Sequence, residues 1–201
     1  MNKYKTLIIL DWDDTLFPTS WIIKNNLDIN DKSMHEENLK IFKKLDKYLY
    51  EFLSNLLKCG IVIIVTNAMM KWIYISINVL PLTKTIIKNI KLISARDWYQ
   101  KRYPNKMEVW KKLVFKYIVD NLFKKKELQN IISIGDAEYE FNALIDLYNI
   151  DSFKNKRILK TVKLLTEPSY ELLLNQLHIL GKSIQNICLD NKHLDLQFEN
   201  K

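Results

Sequence analysis

The stretch TLIILDWDDTLFPTS, Thr6–Ser20, decides the fold. Residues 6–10 are apolar apart from Thr6 and rich in β-branched side chains, so they predict a strand buried on both faces. The run ends abruptly in Asp11, Trp12, Asp13, Asp14 and Thr15. At the C-terminal edge of a strand in an open parallel sheet the chain borders a crevice. Three carboxylates gathered there repel one another unless a cation or a proton compensates them. The cluster therefore points to a metal-assisted site rather than to a core.

Outward from this strand, helical and strand patterns alternate. Residues 17–31 read as irregular or briefly helical. Residues 34–59 carry Leu39, Phe42, Leu45, Leu49, Phe52, Leu53 and Leu56 near one helical face, with Gly60 as a C-terminal stop. A second buried strand at 61–65 closes on Thr66 and Asn67, and residues 68–80 are helical up to the interruption at Pro81, with a further turn or two at 83–89. A weaker strand at 91–94 leads to a helix at 105–122 that Asn105 could cap. The basic run Lys124–Lys126 is expected to face solvent. A strand at 130–134 ends at Gly135–Asp136 and is followed by a helix at 139–148. A fifth strand spans 158–165, and a helix at 170–180 is stopped by Gly181. The tail at 184–198 has room for a short strand. Strands separated by helices imply crossover connections. The expected architecture is an α/β, doubly wound, mostly parallel five-stranded sheet with helices on both faces, in a single domain over residues 1–201, with a small helical insertion within 17–60.

Composition narrows the function. The chain has 201 residues, 48% of them hydrophobic, which argues against disorder. No apolar run approaches the roughly 20 residues needed to span a bilayer, so no membrane association is expected. The N-terminal apolar run meets acids too early for a signal peptide. With only Cys59 and Cys188, no disulfide framework is implied, and a reducing cytoplasmic setting is the default. The formal charge of +8 favours anionic partners in general, yet only Arg96, Arg102 and Arg157 are arginines. An arginine-poor surface is a poor bidentate reader of bases, so no specific nucleic-acid partner is expected.

In a doubly wound sheet the tips after the first, second and later strands can meet at one edge. That edge would gather Asp11 and Asp13, Thr66 and Asn67, and Asp136 and Glu140, with Lys106 at a helix start. These groups offer carboxylates for a hard divalent cation, hydroxyl and amide groups for anionic oxygens, and an ammonium group. Magnesium prefers such oxygen ligands and commonly joins carboxylates to phosphate.

The pattern resembles the haloacid dehalogenase-like phosphatases over residues 6 to about 165. DWDDTL is similar to their first motif, VTN to their second, Lys106 to their third and GDAEYE to their fourth, in the same order. Trp12 and Glu140, where an aspartate is commoner, depart mildly from the pattern. The resemblance implies Asp11 as a nucleophile that takes up a phosphoryl group. It implies Asp13 as the acid that protonates the leaving oxygen and then deprotonates water. It implies phosphate binding by Thr66, the Asn67 amide and Lys106. The implied Mg2+ ligands are Asp11, the Asp13 carbonyl and Asp136, with Glu140 direct or through water, and Thr15 would lock the turn locally. An acid at 13 separates the chain from true dehalogenases.

Other readings of these residues stand beside this one. Asp14 could cap the turn or the following helix, Lys106 competes with Lys101, Arg102 and Lys111, and Glu138 competes with Glu140. His35, His178 and His193 fall on no motif. Trp72, Tyr74, Trp98 and Tyr99 could shape a substrate pocket, with core packing the favoured reading, while Arg96 could reach a phosphate or acidic substrate. The gaps 17–60 and 68–105 leave room for a small cap or none. An open site suits a phosphate on a large molecule such as a phosphoprotein, or needs a partner to close it, and a phosphorylated small molecule fits if residues 21–30 fold over it. The competing function is a catalytically weak binding or scaffold protein on the same fold. Oligomeric state is left open.

Overall fold

The computed structural model describes residues 5–30, 36–122, 128–150 and 157–199. A six-stranded sheet in the order β3-β2-β1-β4-β5-β6 is parallel throughout. Its strands are β1 (Thr6–Leu10), β2 (Ile61–Thr66), β3 (Lys91–Ser94), β4 (Asn130–Gly135), β5 (Ile158–Lys163) and β6 (Leu194–Gln197). The expected five are all present, and the short strand of the tail adds the sixth at the edge. Strand order reverses between β1 and β4, where a doubly wound sheet opens its ligand crevice.

The helices are α1 (Thr19–Lys24), α2 (Glu36–Cys59), α3 (Met70–Asn78), α4 (Pro81–Ile87), α5 (Ala95–Tyr99), α6 (Met107–Tyr117), α7 (Glu138–Ile150) and α8 (Tyr170–Leu189). Alternation along the strands sorts them into two layers. Ile8, Leu10, Val62, Ile64, Ile132 and Ile134 share one apolar cluster with α2, α3 and α8. Leu7, Ile9, Ile63, Val65, Ile93 and Ile131 share the other with α6 and α7. Burial on both faces is why these strands read as unbroken apolar runs. Among the described residues no helix is long and apolar enough to cross a membrane.

Three local expectations change. Gly181 does not stop α8, which continues to Leu189. A glycine inside a helix costs about 1 kcal/mol, and burial of Leu180, Ile184, Ile187 and Cys188 outweighs it. Asn105 does not cap α6: it adopts a left-handed φ of 59°, and Lys106 occupies the cap position without a side-chain bond. After Tyr117 the helix loosens into one π-helical turn, Ile118–Leu122. Gly60 does end α2, but not through a left-handed cap. A Cβ there would lie 2.7 Å from the Thr6 carbonyl oxygen, so glycine is required for close approach to β1. The Lys124–Lys126 run and His35 lie outside the described residues.

Candidate active site

The site grows from the tips of β1, β2 and β4. The Asp11 amide donates to the Ile134 carbonyl at 2.9 Å, extending the β1–β4 pairing by one rung and bringing Asp11 against the end of β4. Trp12 alternates to the opposite side, is fully buried, stacks on Phe17 and donates to the Ser76 hydroxyl at 3.0 Å. Its presence in the acidic run is thus a packing choice. The chain then turns tightly: the Leu16 and Phe17 amides both return to the Trp12 carbonyl, and Asp14 takes a left-handed φ of 53°. The Asp14 carboxylate accepts from the Ser20 amide at 2.9 Å and the Ser20 hydroxyl at 2.5 Å. Asp14 therefore caps the start of α1, as one reading of the sequence expected.

Asp13 is tied down by three donors. Oδ1 accepts from the Thr19 hydroxyl at 2.6 Å and from the Trp72 indole at 2.8 Å, and Oδ2 accepts from the Thr66 hydroxyl at 3.0 Å. Thr66 in turn accepts from the Ala68 amide at 2.9 Å. Trp72 and Tyr99 pack against the core, whereas Tyr74 and Trp98, also expected there, are exposed; the Trp72 indole N–H also reaches the site and its ring lines the pocket. Asn67 lines the same pocket, and its buried Oδ1 lacks a hydrogen-bond partner.

The ammonium in this cluster comes from Lys111. Its Nζ lies 2.9 Å from Asp11 Oδ1 and also contacts Glu140 Oε1, with the lysine side chain 1% exposed. The ion pair with Lys111 is the one polar contact that Asp11 Oδ1 makes among the described residues. Lys106, the residue singled out from sequence, is exposed at the start of α6 and is not among the residues lining the pocket. One turn later, Met107 and Lys111 share a helix face and do line it. A sequence signal for Lys111 existed: it falls on the apolar stripe with Val114, Phe115 and Ile118.

Glu140, on the first turn of α7, folds back over Gly135. A Cβ at Gly135 would come within 2.6 Å of its carboxylate, so only glycine admits this path. Glu140 does not border the pocket; it backs Lys111, and its Oε2 is buried without a partner. Glu138 instead pairs with Lys163 at the surface. Thr15, expected to lock its own turn, reaches across to Asp136 Oδ1 at 3.4 Å.

Burial raises the pKa of Asp11, and Asp13 adds to the effect while Lys111 opposes it. Asp136 is pushed up to about 7, first by burial and then by the charges of Asp11 and Asp14. Buried acids held so close favour a proton or a cation between them. Among the described residues no three His, Cys, Asp or Glu side chains form a ready metal cage. The pocket over these groups is about 520 Å³, with Ile23, Met69, Trp72 and Met107 as apolar walls and Arg96 on the β3 side.

No protein-family model matches the chain. No curated protein matches it. A solved structure described as a HAD family hydrolase from Deinococcus radiodurans R1, with bound phosphate and sodium, is similar to it. The identity is 13% and the TM-score 0.44, with 98% of this chain and 93% of that one covered.

Proposed function

We propose that the chain is a Mg2+-dependent phosphomonoester hydrolase of the haloacid dehalogenase-like type, working through an aspartyl phosphate on Asp11. The observation that carries this reading is the buried pair of carboxylates at the strand-order reversal. Asp11 follows β1, Asp136 follows β4, Lys111 lies against Asp11, and Asp13 stands at the pocket wall. Magnesium typically uses only one or two protein carboxylates together with phosphate and water, so a three-carboxylate cage is not needed. Asp11, Asp136 and the Asp13 carbonyl supply hard oxygen donors that fit it. The raised pKa of Asp136 comes first from burial and then from the charges of Asp11 and Asp14, both of which a cation would offset. When bound, the ion would neutralise phosphate charge so that an anionic nucleophile can approach.

In this reading Lys111 contacts Asp11 Oδ1, which leaves Oδ2 as the attacking atom. The bond from phosphorus to the ester oxygen breaks as that to Asp11 forms, and Asp13 gives its proton to the leaving oxygen. In the second half Asp13 takes a proton from water, whose oxygen attacks phosphorus and releases inorganic phosphate and free Asp11. Thr66 serves indirectly by holding Asp13, the Asn67 amide faces the phosphoryl oxygens, and Lys111 replaces Lys106 as the balancing cation. Glu140 holds Lys111 rather than metal. Phosphorylated small molecules and phosphoproteins both suit an open pocket.

The second reading, a binding protein with little turnover, draws on the three bonds that anchor Asp13. Turnover of p-nitrophenyl phosphate separates the two. Magnesium-dependent hydrolysis that is abolished by chelator, falls more than about a thousand-fold in Asp11→Asn and about 10²–10⁴-fold in Asp13→Ala is expected. Equal rates in wild type and Asp11→Asn would overturn the nucleophile assignment.

A further inference from the structure

We propose that Arg96 reads a second negative charge on the substrate, so that the pocket selects phosphomonoesters that also carry a carboxylate or another phosphate. This rests on the phosphatase reading for the first anion and adds the specificity of the same pocket. Arg96 is the second residue of α5, directly after β3, and lines the pocket wall together with Asn67, Ala68 and Met69. Its Nε donates to Gln100 Oε1 at 2.8 Å, which fixes the plane of the guanidinium. No carboxylate among the described residues forms an ion pair with it. The neighbouring Asp97 is turned away and accepts from the Met70 amide at 2.9 Å.

The two cations of the pocket therefore differ in what they have left to give. Lys111 is committed between Asp11 and Glu140, whereas the Nη groups of Arg96 have no partner of opposite charge among the described residues. A planar fork of this kind matches a carboxylate or phosphate in two parallel hydrogen bonds, which a lysine cannot reproduce. Position sets the spacing. β3 stands two strands from β1, and neighbouring strands lie about 4.8 Å apart, so the strand end from which α5 leads to Arg96 is on the order of 10 Å to the side of β1. With the side chain reaching into the pocket, the second anion belongs a few bonds from the ester oxygen. The linking carbons would lie along Met69, Trp72 and Met107, which offer apolar contact and no charge.

The test uses Asp11→Asn protein with magnesium, so that binding is read without turnover. Alkyl phosphates of two to five carbons are compared by calorimetry with ω-phosphonooxy carboxylates of equal length, and with α,ω-bisphosphates as a parallel arm. One chain length is expected to gain about ten- to hundred-fold in affinity from the second anion. That gain should vanish in Arg96→Met and Arg96→Gln and return only in part in Arg96→Lys. The arm with the larger gain identifies the second anion as carboxylate or phosphate. A second anion that adds no affinity at any length, including binding by none of the compounds, overturns the proposal. So does an equal loss for one-anion and two-anion esters in the Arg96 variants, which would assign Arg96 to the reacting phosphate. Failure of the hydrolase reading looks different: wild type turns over nothing while the Arg96-dependent discrimination persists.

Discussion

Replacing Lys111 with methionine removes the only cation in contact with Asp11 among the described residues, while keeping an unbranched side chain only one heavy atom shorter. At 2.9 Å and an effective dielectric of about 20, the attraction between Lys111 and Asp11 is roughly 6 kcal/mol before desolvation. Burying the ammonium group offsets much of this, and removing one partner of a buried pair typically costs about 3–5 kcal/mol. Here the loss leaves two acids, Asp11 and Glu140, buried without their common partner. For a chain of this length that corresponds to a fall in Tm of roughly 6–20 °C at neutral pH. Lys111→Met combined with Glu140→Gln should recover part of the loss, because one stranded charge is gone, and urea unfolding of the four proteins closes the cycle. Activity should fall in both variants, since Asp11 would lose its balancing charge. If Lys111→Met unfolds at the wild-type urea midpoint while Lys106→Met loses both stability and activity, the assignment of the buried ammonium is wrong.

Gly135→Ala should displace Glu140 and loosen Lys111, lowering kcat and stability together, and a crystal structure with Glu140 undisturbed would contradict the packing argument. Trp72→Phe keeps an aromatic ring, though a smaller one, and deletes the donor to Asp13, so kcat should fall several-fold with KM little changed; a purely core role would leave kcat alone. In chelator, Asp136 is an acid whose folded pKa lies above its usual 3.8, at about 7. Folding therefore favours its neutral form, and its contribution is present below about pH 4 and lost as pH rises through 7. Asp136→Asn should then raise the stability of metal-free protein at pH 8, by at most about 4 kcal/mol, and flatten the decline between pH 4 and 8. A variant less stable than wild type at pH 8 in chelator would reverse that sign.

The sheet was legible because its strands are buried on both faces, which leaves runs such as Thr6–Leu10 and Ile61–Thr66 apolar apart from one threonine each. Periodicity could not see the end of α8, where glycine propensity predicts a stop but contact with α2 decides. At the site, the strand tips announced Asp11, Asp13, Thr66, Asn67 and Asp136 because strand ends are set by local pattern. Lys111 was passed over because motif order pointed to the helix start, where Lys106 sits at the cap position. The apolar stripe that Lys111 shares with Val114, Phe115 and Ile118 was the available signal, and the packing of Met107–Tyr117 against β2 and α7 is what buries it. Glu140 was found by spacing, but its work in holding Lys111 depends on the missing Cβ of Gly135. Arg96 and Trp72 line the pocket from elements that carry no motif, so the sequence offered a site role for each only as one reading among others.

The claim on which everything else depends is that Asp11 accepts the phosphoryl group. Acid-quenching the protein during turnover with magnesium and a phosphomonoester, then digesting it for mass spectrometry, tests this directly. The account predicts one added phosphoryl group on the peptide bearing Asp11, lost at alkaline pH as expected for an acyl phosphate, and accumulating in Asp13→Ala. Steady turnover with an unmodified Asp11 peptide, or a phosphoryl group on another residue, would contradict it.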